Sequence, residues 1–184
     1  MLNFVGVIEQ DSWTRESWTD RGDVKGLRSA FSDWDPNLRA IIETIDETFI
    51  WGLFDRGPLP HWSVGRVTLL GDAAHPMLPF MAQGAAQALE DGVSLTRCLS
   101  KIGDVAAAFA RYEKLRLLRT SRMQAMSADN KTSLHLPDGP AQQERDAKMA
   151  AGTTYPSIKA MAWVYNYDAA AAVETGDLGL PAEV

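Results

Sequence analysis

Cysteine is nearly absent from this sequence: Cys98 is the only one among 184 residues. One thiol closes no internal disulfide and builds no cysteine cluster, which suits a reducing compartment and predicts a cytoplasmic protein. Histidine is scarce too, limited to His61, His75 and His135. No spacing among them matches a zinc pattern, so no metal is expected. No G-x-S-x-G elbow occurs, which removes the signature of an esterase-type nucleophile. Positive charge is in deficit, with a formal net charge of −6. Neither nucleic acid nor an anionic membrane is therefore expected as the main partner. No apolar run approaches the roughly 20 residues that span a bilayer. The N-terminal MLNFVGVIEQD also lacks the basic region of a signal peptide.

The remaining composition is that of an ordinary globular protein, 46% hydrophobic and 23% charged. A chain of this size hides roughly 70% of its unfolded surface, enough for a real core.

The chain is organised around GRVTLLGDAAHPMLPFMAQGAAQALEDGVSLTRCL, residues 65–99. Val67 to Leu70 has the length and composition of a buried strand. Gly71 and Asp72 end it, a loop with Pro76 and Pro79 follows, and an alanine-rich helix is predicted over 83–100. Before it, Leu2 to Ile8 reads as a strand buried on both faces, and Asp11 to Asp20 as a connection. Asp23 or Gly22 is placed to cap a helix through Phe31, and Asp35 a second, with Pro36 at its first position and Leu38, Ile41, Ile42 and Ile45 as its apolar face. Thr48 to Phe54 reads as a strand. Asp104 caps a helix from Val105 to about Ala128, with Ala108, Phe109, Tyr112, Leu115 and Met123 inward. A polar helix over 141–150 and a last helix over 158–167 follow, the latter offering Trp163, Tyr165 and Tyr167 to a groove. The tail after Ala172 is expected to fray.

A carboxylate at Asp72, where a strand ends, suits acceptance of hydrogen bonds from vicinal hydroxyls. A turn aspartate bonded to its own loop is the simpler alternative. Gly71 permits a tight turn and close approach. Gly84, Ala85 and Ala86 open the helix, where free N–H groups and the helix dipole favour negative charge. The simpler reading is an alanine-rich buried helix packed against a sheet, and the two readings can hold together. His75 is expected to hold the loop, and Cys98, between Leu95 and Leu99, to be a core thiol. Arg111, Lys114, Arg116, Arg119 and Arg122 form a basic run, read as a solvated face beside acids such as Glu113.

Gly71-Asp72-Ala73-Ala74-His75, then Pro79, Gly84 and Glu90-Asp91, resembles in register the second flavin motif of the FAD-dependent aromatic hydroxylases, of the salicylate- and hydroxybenzoate-hydroxylase type. The resemblance extends from Leu2 to about Asp168. The family's first motif, an N-terminal GxGxxG, is absent, and the chain is read as the C-terminal half of such an enzyme.

The resemblance implies an α+β chain, part of an α/β FAD-binding fold. Strands of a substrate-domain sheet would precede the strand–loop–helix of the flavin site and a helical C-terminal region. Expected domain limits are 1–64 for the substrate domain, 65–128 for the second half of the FAD domain and 129–184 for a helical extension. It further implies FAD, NADH or NADPH as reductant, O2, and a small hydroxylated aromatic acid as substrate. Asp72 would bind a ribityl hydroxyl. Gly71, Gly84, Ala85 and Ala86 would line the flavin, and Pro79 and Phe80 would lie beside its reactive edge and the substrate. The expected partners are the GxGxxG half or a homologous chain, with a homodimer as an allied arrangement. Two other classes are an inactive binding subunit docking through the Leu2–Ile8 edge onto a separate FAD-domain chain, and a small hydrolase or metal protein reusing Asp72 and His75.

Overall fold

The computed structural model describes residues 2–9, 17, 19–152 and 160–181. It divides the chain into two units, Met1–Leu53 and Phe54–Val184. The fold is α+β, dominated by helix, with two two-stranded antiparallel pairs among the described residues.

In the first unit, β1 (Arg21–Gly22) pairs with β2 (Thr48–Phe49). Between them lie α1 (Val24–Ala30) and α2 (Pro36–Glu43). Both helices start where local chemistry demands. The Asp23 carboxylate accepts from the Lys25 and Gly26 N–H groups at 3.0 and 3.1 Å, and Asp35 accepts from Asn37 N at 2.8 Å. These caps satisfy donors that a helix start leaves open. Among the described residues Ile42 and Phe31 are the buried side chains here, and the Phe31 ring meets Phe4 and Trp34 edge-on.

Two expectations fail in this unit. Leu2 to Ile8 forms no strand, and Leu2, Val5 and Ile8 are exposed. An apolar run cannot form a ladder without a neighbouring strand to pair with. The docking edge expected there is therefore not formed. The strand over 48–54 is limited to Thr48–Phe49. Most of the Asp11 to Asp20 connection lies outside the described residues.

The second unit opens with the hairpin β3 (Ser63–Val64) and β4 (Val67–Thr68), turned by Gly65 at φ +59°. The expected buried strand over 67–70 is thus a short hairpin arm, with Val67 67% exposed. Glu113 ties the hairpin down by accepting from Trp62 N and Ser63 N at 3.0 and 2.7 Å. The helices are α3 (Gly84–Lys101), α4 (Val105–Leu134), α5 (Pro140–Ala150), α6 (Ala162–Tyr165) and α7 (Ala169–Thr175). α3 packs on α4 and on α7.

Trp62, Ala74, Cys98, Ala108, Tyr112, Leu115 and Val173 form the core, and Phe109 is half-buried. Full burial of a side chain such as Leu115 contributes roughly 2 kcal/mol. The buried stripe of α4 continues through Arg116, Arg119, Thr120, Met123, Gln124 and Ser127, at helical spacing.

The expectation that the basic run is a solvated face is corrected for Arg116 and Arg119, both fully buried. The tail is also more ordered than expected. Asp168 caps α7 by accepting from Ala170 N and Ala171 N, and Ala172 and Val173 are buried. The helix expected over 158–167 is the single turn α6 among the described residues. Trp163 and Tyr167 lie against Arg119, while Tyr165 is exposed. No helix among the described residues is long and apolar enough to cross a membrane.

Candidate functional site

The loop from Gly71 to Gln83 joins the hairpin to α3. Gly71 adopts φ +59°, and a Cβ there would stand 3.3 Å from Ala88 Cβ, so a side chain is disfavoured both by conformation and by space. Its N–H donates to Asp91 Oδ2 at 3.1 Å. The first 3-10 turn, Gly71–Ala73, closes through Ala74 N and His75 N donating to Gly71 O. Asp72 sits in this turn rather than at a strand end. It does not bond its own loop: its carboxylate is exposed and meets no donor among the described residues.

His75 is fully buried and donates through Nε2 to Asp91 Oδ2 at 2.6 Å, so it holds the loop as expected. Arg56 lies across the same turn, its Nη2 donating to Ala73 O and Ala74 O at 2.7 and 3.1 Å. Pro79 opens a second 3-10 turn, Pro79–Met81, and is exposed. Phe80 is half-buried, with its ring edge against His135 at 5.2 Å. Ala82 then takes a left-handed conformation, φ 51° and ψ 34°, and α3 begins at Gly84.

The α3 N-terminus carries no side-chain cap. The N–H groups of Gly84, Ala85 and Ala86 therefore remain available, and the Met77 side chain lies beside Gly84, its Cγ 3.8 Å from where a Cβ would stand. The first turn of the loop thus packs on α3, with Gly71 pinned at Ala88 and Asp91, while the far end of the loop becomes α3 itself, with Gly84, Ala85 and Ala86 in its first turn.

A buried charge network supports it. Asp91 Oδ1 accepts from Arg116 Nε at 2.8 Å, and Glu90 accepts from Arg116 Nη1 and Arg119 Nε at 2.6 and 2.9 Å. Two guanidinium groups thus face two carboxylates. Burial opposes ionisation of Asp91, but the His75 hydrogen bond and the Arg116 charge outweigh it and hold the carboxyl below its usual range. Burial likewise opposes charge on Arg116, yet Asp91 and Glu90 leave its pKa raised. Burial pushes the Cys98 thiol up, consistent with an inert core position. The sequence reading missed the roles of Arg116 and Arg119. The available signal was their spacing, which puts them on the same stripe as Tyr112, Leu115 and Met123.

Chemically, the loop offers an acceptor for hydroxyls at Asp72 and donors for an electron-rich edge at Gly84 to Ala86. Arg56 Nη1, buried beside the loop, is a further donor without a partner among the described residues. This donor and acceptor set fits FAD, which carries a polyol chain and an anionic ring edge when reduced. Among the described residues no group of three or more His, Cys, Asp and Glu side chains could hold a metal ion.

An exposed carboxylate on a loop that leads into an open helix N-terminus suits a nucleotide-cofactor-binding protein. The FAD binding domain family matches residues 30–127, and the chain belongs to that family, whose cofactor is FAD. It is 38% identical over 171 residues to a 3-amino-4-hydroxybenzoate 2-monooxygenase of Streptomyces platensis, across 92% of this chain and 42% of that protein. It is 49% identical over 127 residues to a 6-hydroxynicotinate 3-monooxygenase of Bordetella bronchiseptica, across 68% of this chain and 33% of that protein. A salicylate hydroxylase substrate complex shares the fold with TM-score 0.72 at 24% identity, over 95% of this chain and 42% of that one. The chain spans about two-fifths of the length of the first two curated relatives.

Proposed function

We propose that this chain is the C-terminal portion of a FAD-dependent monooxygenase that hydroxylates a small hydroxylated aromatic acid, with NADH or NADPH as reductant and O2 as co-substrate. The observation that carries the reading is the Asp72 carboxylate, exposed and unpartnered among the described residues, on a turn pinned to the helix whose start is open. Bound FAD would supply the electron transfer and oxygen activation that protein side chains lack.

The chain's own residues bind and orient. Gly71 lets the backbone come close, and Asp72 accepts from ribityl hydroxyls. The Gly84, Ala85 and Ala86 N–H groups face the pyrimidine edge, where the helix dipole favours negative charge. Pro79 and Phe80 shape the wall beside the reactive edge and the aromatic substrate, and serve no acid–base role. The GxGxxG half, carried on the same polypeptide or on a partner chain, would complete the cofactor site, and a homodimer is an allied arrangement. A reducing cytoplasm suits the single buried thiol, Cys98.

The test is FAD uptake. The 184-residue chain is mixed with FAD, separated by size, and its visible spectrum and flavin fluorescence are recorded beside those of Asp72→Ala. A yellow peak from the unaltered chain, with affinity weakened about tenfold or more by Asp72→Ala, is expected for loss of a charge-assisted hydrogen bond. Equal affinity in the two proteins would refute the role of Asp72.

A further inference from the structure

Gln124, Ser127 and Asn130 recur at intervals of three along α4, on the side that faces the loop. Gln124 Nε2 donates to Pro76 O at 2.9 Å and to Arg56 O at 3.2 Å. Ser127 Oγ donates to Leu78 O. Asn130 Nδ2 donates to Phe80 O at 3.1 Å. The accepting carbonyls thus belong to alternate loop residues, 76, 78 and 80.

The loop needs this help. Pro76 and Pro79 have no N–H, so the segment has few donors with which to build structure of its own. Its carbonyls still require partners, and Leu78 is buried. α4 supplies donors from side chains. Three helical residues rise about 4.5 Å, less than two extended residues cover. The short Ser127 stands in the middle, and the longer Gln124 and Asn130 at the two ends make up the difference. Gln124 and Ser127 are buried, at 7% and 0% exposure, so water cannot replace these bonds without disturbing the packing.

With the loop's start held on Asp91 and its end merging into α3, these side chains decide where its middle lies. We propose that Gln124, Ser127 and Asn130 are positioning residues, a donor ladder that fixes the Pro76–Phe80 backbone relative to Asp72 and the α3 N-terminus. FAD then meets one prearranged loop instead of having to order it. This rests on the FAD-binding reading above.

The experiment compares the 184-residue chain with Gln124→Met, Ser127→Ala and their combination, and with Ser127→Thr, which keeps the hydroxyl. FAD affinity is read from flavin fluorescence, and amide hydrogen exchange is followed over Met77–Ala86 and, as a reference, over Tyr112–Arg119. In the double variant, loop exchange should accelerate about tenfold and FAD binding weaken about tenfold, the scale of one buried hydrogen bond or more. The Tyr112–Arg119 amides should be unchanged, and Ser127→Thr should behave like the unaltered chain. Should the double variant fail to fold, Asn130→Asp at the half-buried rung removes a donor isosterically and takes its place. Unchanged loop exchange and unchanged affinity in variants of a chain that does bind FAD would overturn the ladder and leave the proposed function standing. An unaltered chain that takes up no FAD would overturn uptake by this portion without the GxGxxG half, and loop exchange alone would then decide the ladder, unchanged exchange overturning it.

Discussion

Asp91 Oδ2 accepts a hydrogen bond from His75 Nε2 at 2.6 Å, with both side chains buried. An ionised carboxylate only accepts, so Nε2 is the donor, and the buried Nδ1 has no hydrogen-bond partner among the described residues. The same carboxylate receives Gly71 N and Arg116 Nε. One side chain therefore joins the loop, α3 and α4. Replacing Asp91 with Asn removes its charge and leaves two buried guanidinium groups facing only Glu90. Urea unfolding should show a loss of about 3 kcal/mol, the scale for breaking a buried ion pair. A loss below about 1 kcal/mol would mean that the network is not a linchpin.

Acid should weaken the fold through the same residue. Asp91 has a lowered pKa in the folded state, despite burial, because of His75 and Arg116. Glu113 is also lowered, since the Trp62 and Ser63 N–H groups outweigh its partial burial. A depressed folded pKa means that the unfolded chain binds more protons in the acid range. The stabilisation is complete above the ordinary carboxylate value of about 4 and is lost as pH falls through the folded pKa values. The urea midpoint should fall from about pH 5 downward, and fall less steeply in Asp91→Asn. Parallel pH profiles would count against this assignment.

Arg119 fastens the C-terminal segment. Its Nη1 donates to Trp163 O and Gly179 O at 2.6 and 2.9 Å, its Nη2 to Val164 O at 2.9 Å, and the guanidinium lies 4.1 Å from the Tyr167 ring centroid. A lysine ammonium cannot span these acceptors. Arg119→Lys should cost about 2 kcal/mol and speed proteolytic cleavage within 160–181, read by mass spectrometry. Unaltered cleavage there would show that the segment is held by other contacts.

Two loop positions should respond in opposite directions. Ala82 pays for a left-handed conformation, which costs an L-residue about 1–2 kcal/mol. Ala82→Gly should stabilise by about 0.5–1 kcal/mol, part of the relief being offset by chain entropy. Gly71→Ala combines φ +59° with a Cβ 3.3 Å from Ala88 Cβ and should cost about 2 kcal/mol. Thermal melts of the two variants should shift to opposite sides of the unaltered chain. Shifts of the same sign would contradict the loop geometry.

Much of the local structure was legible because its causes are local. Asp23, Asp35 and Asp104 each cap the helix expected of them, a matter of one side chain and the next two or three N–H groups. The α3 start at Gly84 and the buried Cys98 followed from short patterns in the same way. The loop's order of glycine turn, carboxylate, prolines and helix start was also readable, and it carried the family resemblance.

What could not be read depends on partners distant in sequence. Leu2 to Ile8 has the composition of a strand, but ladders need a second chain segment that composition does not specify. Arg116 and Arg119 look like surface cations until Glu90 and Asp91, 25 to 29 positions earlier, are placed opposite them. Gln124, Ser127 and Asn130 are unremarkable polar residues until the proline loop lies along them. Residue types and short spacings were enough for the starts of α1 to α4, the chemistry of the loop and the family; the ends were not, since α4 runs to Leu134 rather than about Ala128. Which charged and polar side chains are buried, and what they hold, follows from packing alone, because helical spacing defines a face and not what lies against it.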